Sequence, residues 1–336
     1  LAGLDDLFSF VLRAVEVTPT YVEERCLVVR SGKDACSACL DACPHDAITI
    51  STRVELDAVD CTGCGLCIRA CPSEALADPV RLEPAPALRC SVVAGDAPSV
   101  RCLAQLSGPD LVRLAGPSES VTLARSECAG CKVGGAGVPE ALAESVTDAK
   151  ALLALHGREL HVNVQQVKRL DAPVAQARVS RRALLGGGVR KAAQGVAGAI
   201  APLEAWLPAE GTAGGPVEEA EPPPEAARRY RIVAASEPEP HALVPWSLPR
   251  VADGCILCPA CTRACPTNAL SRDFSGPQGA LMLDPDLCVG CAACVPACPV
   301  NVMSMDDEVT WQELSGGKTV AFRAGADRLG TGALPR

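Results

Sequence analysis

Residues 255–266 read CILCPACTRACP, and residues 288–299 read CVGCAACVPACP. Both follow C-x2-C-x2-C-x3-C-P, with Cys255, Cys258, Cys261 and Cys265 in the first run and Cys288, Cys291, Cys294 and Cys298 in the second. Thiols separated by two residues curl the chain around a common centre, where three of them can cap three metal atoms of one cluster. The longer step carries the fourth Cys off the loop into a helical segment, and the following Pro fixes the backbone where the chain must turn. Zinc knuckles show isolated CxxC pairs, and disulfide frameworks belong to short secreted chains. The spacing therefore points to iron-sulfur chemistry and to an electron-handling protein.

The pattern recurs near the start of the chain. Residues 61–72, CTGCGLCIRACP, form a complete run with Cys61, Cys64, Cys67 and Cys71, whereas residues 36–44, CSACLDACP, supply Cys36, Cys39 and Cys43 but have Lys33 where the first Cys belongs. Cys26 is the nearest free thiol upstream, and the intervening residues are enough to loop it back. These runs resemble the bacterial dicluster ferredoxins, in which the fourth Cys of each run crosses to the other cluster. That resemblance implies four [4Fe-4S] clusters: Cys26, Cys36, Cys39 and Cys71 on the first, Cys61, Cys64, Cys67 and Cys43 on the second, Cys255, Cys258, Cys261 and Cys298 on the third, and Cys288, Cys291, Cys294 and Cys265 on the fourth. For Cys26 an alternative stays open, a buried small hydrophobe at the head of a strand-like CLVV.

The chain has 336 residues, 20 of them Cys, and a formal charge of −9. Such a balance lacks the basic footprint that nucleic acid requires and suits a redox partner with a basic docking face. Aromatic residues make up only 3% of the sequence, so cluster binding is expected to supply much of the folding free energy of the lobes. No stretch approaches about 18 uninterrupted apolar residues, so no membrane span is expected. The expected location is the cytoplasm, at the inner face of the membrane only through a partner. The first residue is Leu1, so a preceding segment, including a cleaved targeting peptide, is an open expectation.

The implied fold is α+β, with two dicluster ferredoxin-like lobes flanking a small α/β domain and a Pro-rich linker. Residues 1–85 hold an amphipathic helix, from the spacing of Leu4, Leu7, Phe8, Val11, Leu12 and Val15, followed by the first lobe. Residues 86–170 alternate strand and helix. LRCSVV, VTLARSE and LHVNVQQV read as buried strands, and PDLVRLAG and PEALAESVTDAKALLALHG as helices. Residues 171–250 form a linker, helical at first and then an extended Pro/Glu-rich spacer in which Trp246 is either an anchor or exposed. Within it Ser180, Arg181, Arg182, Ala183, Leu184 and Leu185 approach a twin-arginine string, but their internal position reads as a basic helix start, and Gly186–Gly188 reads as linker. Residues 251–336 form the last lobe and a hairpin-like tail.

Cys90, Cys102, Cys128 and Cys131 fall at or just beyond predicted strand ends, the edge where open α/β sheets bind ligands. They are a candidate fifth site for [4Fe-4S], [2Fe-2S] or zinc, since thiolates alone do not separate these. This middle stretch resembles the small iron-sulfur subunit that links hydrogenases to heterodisulfide reductases, although its C-x11-C-x25-C-x2-C gaps depart from that family. No catalytic residues are assigned. His45, His156, His161 and His241 are scattered, and none stands beside a nucleophile or carboxylate pattern. His45 reads as a solvent-facing turn residue or as a group tuning a cluster.

The expected function is a polyferredoxin-type relay subunit, not catalytic alone. It would pass electrons between a catalytic subunit (a molybdopterin oxidoreductase such as formate dehydrogenase, or a hydrogenase) and a second electron carrier. The alternative is a soluble redox sensor or iron-sulfur cluster carrier.

Overall fold

The computed structural model describes residues 17–77, 82–168, 225–276 and 278–324. The expected N-terminal helix and the segment carrying Arg181, Arg182 and Gly186–Gly188 lie outside the described residues.

The Cys-Pro turns organise both lobes. Asp46, Glu74, Asn268 and Asn301 stand three residues after Cys43, Cys71, Cys265 and Cys298, and their φ angles are 52°, 54°, 57° and 53°. Asp and Asn tolerate this left-handed region because their short side chains bond locally. Each turn feeds a short strand: Ile48–Ile50, Leu76–Ala77, Leu270–Asp273 and Met303–Asp306. All four pair antiparallel, and in the same way at the two ends of the chain. Thr20–Tyr21 lies beside Leu76–Ala77 as Leu248–Val251 lies beside Met303–Asp306. Ile48–Ile50 lies beside Val54–Leu56 as Leu270–Asp273 lies beside Ala280–Leu283, which also pairs with Thr319–Arg323.

Two local readings change. The strand-like CLVV is a helix, Leu27–Ser31, with Cys26 at its N-cap. Leu27 and Val28 bury against the lobe, and that tertiary packing outweighs the weak helix propensity of valine. In the tail, Val309–Thr310 pairs with Leu243–Val244, but Trp311–Ser315 is helical. The Thr310 hydroxyl accepts from the Glu313 amide at 3.3 Å, and the Glu313 carboxylate accepts from the Thr310 amide at 3.0 Å. This capping box was legible as T-x-x-E.

The middle of the chain forms a four-stranded parallel sheet in the order Ser99–Val100, Ala87–Cys90, Ser120–Arg125, His161–Gln166. Leu88, Val121 and Leu123 bury beneath the helices Gly108–Ala115 and Val138–Ala154. His161–Gln166, expected to be buried, is the exposed edge strand.

The extended spacer expected in the later part of 171–250 is corrected over its described residues, 225–250. Glu225–Ala235 is a helix, fastened by charge on one side and by packing on the other. Arg69 of the N-terminal lobe pairs with Glu225 at 2.5 Å, Arg228 reaches Asp110 at 2.7 Å, and Arg229 forms a two-pronged pair with Asp148. Val233 is fully buried, and Tyr230 packs edge-on to Trp246, centroids 6.3 Å apart, and against Trp311. Trp246 is an anchor, 6% exposed, with its indole N–H on the Cys288 carbonyl at 3.2 Å. Composition pointed to a spacer because Pro and Glu dominate the tract, but the alternation of Arg with apolar residues in EAARRYRIVAA suits a helix between two surfaces.

Candidate iron-sulfur sites

In the N-terminal lobe Cys43, Cys61, Cys64 and Cys67 line one cavity with an empty volume of about 370 Å³. The loop curls where Gly63 adopts φ 68°, the residue before Cys64. Leu257 before Cys258 and Gly290 before Cys291 do the same at 52° and 69°. Cys26, Cys36, Cys39 and Cys71 lie in one core that also takes in Cys43 and Cys67. Burial pushes the Cys39 thiol up to about 11, and the charges of Cys71, Cys36 and Cys26 add to the push. Tyr21 lies against Cys26, and burial and that contact raise its phenol well above the ordinary tyrosine value.

The C-terminal lobe repeats the arrangement. Cys255, Cys258, Cys261 and Cys298 line a cavity of about 310 Å³, and Cys265, Cys288, Cys291 and Cys294 line one of about 320 Å³. The last Cys of a run sits at the head of its Cys-Pro turn, and in two of the four runs it receives a backbone donor. The Ala75 amide donates to the Cys71 sulfur at 3.3 Å, and the Val302 amide donates to the Cys298 sulfur at 3.5 Å. Burial raises the Cys298 thiol, but the amides of Val302, Val300, Asn301 and Met303 together hold it below the ordinary cysteine value.

At the C-terminal edge of the parallel sheet, Cys90, Cys102, Cys128 and Cys131 line a cavity of about 320 Å³. Cys90 ends one strand, Cys102 stands two residues after the next, and Cys128 and Cys131 lie on the loop beyond Arg125. Burial drives Cys102 up to about 12, with the amide of Ala104 opposing and Cys64, Cys128 and Cys90 adding to the rise. Arg125 donates to the Cys128 sulfur at 3.8 Å, so the cation partly offsets burial there.

Elsewhere burial, followed by neighbouring thiols, lifts Cys261 to about 11 and Cys294 to about 12. Burial chiefly lifts Cys288 to about 11, and Cys67 lies higher still. Buried thiols such as Cys39, Cys67, Cys102 and Cys294 resist becoming thiolates on their own. A bound cationic centre reverses that balance by neutralising them. All 20 cysteines are free, and among the described residues no three His, Cys, Asp or Glu converge closely enough to hold a single ion. In the runs with C-x2-C-x2-C-x3-C spacing, four thiols brought to one pocket suit a four-iron cluster.

Several contacting residues carried no spacing signal. The His45 ring nitrogen donates to the Val133 carbonyl at 2.9 Å, and the Thr62 hydroxyl donates to the same oxygen at 2.6 Å. His45 thus ties the second thiol set to the loop after Cys131. His156 donates to the Ile232 carbonyl at 3.0 Å, a packing role.

The comparisons agree with this geometry. A family model described as a 4Fe-4S dicluster domain matches residues 34–75 and 254–302. No curated protein and no solved structure is similar enough to match. Among the described residues no helix is long and apolar enough to cross a membrane. Residues 34–75 and 254–302 are therefore two 4Fe-4S dicluster regions in a chain of mixed helix and strand, and they support an iron-sulfur electron-transfer role.

Proposed function

We propose that this chain is the electron-relay subunit of a multi-subunit oxidoreductase, with four [4Fe-4S] clusters in its two lobes and a fifth at the sheet edge. The observation that carries the reading is that four sets of four thiols each line one pocket, while Cys26, Cys36, Cys39 and Cys71 lie in one core together with Cys43 and Cys67. Cys26, Cys36, Cys39 and Cys71 would hold one cubane, Cys61, Cys64, Cys67 and Cys43 the second, Cys255, Cys258, Cys261 and Cys298 the third, and Cys288, Cys291, Cys294 and Cys265 the fourth. Cys90, Cys102, Cys128 and Cys131 would hold the fifth, all four lining one pocket at the sheet edge. When bound, a cubane supplies a one-electron store that needs no proton or substrate.

The chain's own residues ligate, exclude water and set local charge. Arg125 beside Cys128 and the amides aimed at Cys71 and Cys298 stabilise negative sulfur, which favours the reduced state. Substrate chemistry would belong to a partner. The partner class that fits is a molybdopterin oxidoreductase, such as formate dehydrogenase, or a hydrogenase, with a second carrier accepting or supplying electrons. A net charge of −9 suits basic docking faces on both. Cys26 is 6% exposed, which weighs against a sensor built on an exposed, incompletely ligated cluster.

The test is an anaerobic reductive titration of the loaded chain. Reversible uptake of about five electrons, one per cluster, is the expected result. Irreversible bleaching of one cluster with a change in conformation would contradict the relay and favour the sensor.

A further inference from the structure

The order of the thiol sets along the chain is not their order in space. Resting on the reading that each set holds a cluster, we propose that the five sites form one unbranched line. The set Cys90, Cys102, Cys128, Cys131 lies at one end and the set Cys255, Cys258, Cys261, Cys298 at the other. Between them come Cys61, Cys64, Cys67, Cys43, then Cys26, Cys36, Cys39, Cys71, then Cys288, Cys291, Cys294, Cys265.

The first junction joins the sheet edge to the N-terminal lobe. Cys64 and Cys102 share a small buried core with Leu66, Ala104 and Val138. Arg101, which lines the sheet-edge cavity, donates to the Thr62 carbonyl at 2.8 Å, between Cys61 and Cys64. The Thr62 hydroxyl and the His45 ring both bond the Val133 carbonyl on the other side. Inside the lobe, Cys26 and Cys39 of one set and Cys67 of the other lie in a single core.

The second junction joins the lobes directly. Arg30, on the helix that Cys26 opens, donates to the carbonyls of Arg263 and Pro266 at 3.2 and 3.3 Å. Pro266 lines the cavity of Cys265, Cys288, Cys291 and Cys294. The far end is open to the surface: Ile256, 61% exposed, and Val300, 38% exposed, line the cavity of Cys255 and Cys258. Chain order would pass from the N-terminal lobe through the middle domain to the C-terminal lobe. The packing places the middle domain at an end instead.

The test uses the full chain, loaded anaerobically and fully reduced, and reads iron content together with magnetic coupling between clusters. Replacing Cys128 and Cys131 with Ser should remove about four irons and relax the coupling of one remaining cluster. Replacing Cys291 and Cys294 with Ser should remove as many and relax two. Equal effects of the end and interior removals would overturn the order while leaving the cluster reading intact. Unchanged iron in either variant would overturn the cluster reading itself. Removing an interior cluster risks the fold of its lobe, so Arg101→Met gives a reading with every Cys in place. Loss of that cation should move two midpoint potentials downward, those of the sheet-edge cluster and its neighbour on Cys61 and Cys64. Movement of one midpoint or none would overturn the junction.

Discussion

Gly65, directly after Cys64, has φ 82°, and a Cβ there would stand 2.6 Å from Gln105 Cγ and 2.9 Å from Gln105 Cα. The loop that carries Cys64 therefore seats on the middle domain only because this residue lacks a side chain. Gly65→Ala is expected to cost about 1–3 kcal/mol and to loosen that contact, read as a lowered denaturation midpoint of the loaded protein. Cys26→Ser should remove about four irons while leaving the signals of the C-terminal pair unchanged; full iron retention would contradict its place in the first set. The CxxC spacings made most thiols legible, since ligand geometry is encoded within a few residues. Cys26 was legible only by elimination. Arg101 and Arg125 carried no such signal because their roles depend on contacts between distant segments, and His45 was marked only by its place just after Cys43 and Pro44.

The helix Glu225–Ala235 holds the largest discrepancy between sequence and structure. Its neighbours in sequence are Pro, Glu and Ala, a composition that cannot bury a core alone. Its stability is tertiary, drawn from Asp110, Asp148 and Arg69 on one side and Trp246 and Trp311 on the other. Arg229→Ala should cost roughly 1–2 kcal/mol by leaving Asp148 without its two-pronged partner, seen in the thermal midpoint with cluster content unchanged.

Beside that helix, Glu74 donates nothing and accepts from the Ala226 amide at 2.9 Å, while its second oxygen is buried without a partner. Burial, then the charge of Glu225, raise the Glu74 carboxyl above its usual range. A raised carboxyl binds its proton more tightly when folded, so stability falls as pH rises from the unfolded value of about 4.3 through the folded one. Glu74→Gln keeps the acceptor and removes the charge. Its thermal midpoint relative to wild type should therefore climb as pH rises from about 5 to 8, whereas a difference independent of pH would contradict the raised carboxyl.

At the scale of the molecule, repeated turns build two lobes and the middle sheet places a fifth set of thiols at its C-terminal edge. The duplication was readable because each Cys-Pro turn carries its signal locally, down to the left-handed Asp46, Asn268 and Asn301. The direct contact of the lobes through Arg30 was not, because a long tract separates them in sequence. The relay reading rests on five thiol sets each holding iron and sulfide. The most direct measurement is therefore the iron, acid-labile sulfide and zinc content of the anaerobically prepared full chain. About twenty iron and twenty sulfide per chain, four of each per cubane, with zinc absent, is the predicted result. Stoichiometric zinc, or iron at or below about eight per chain, would contradict it.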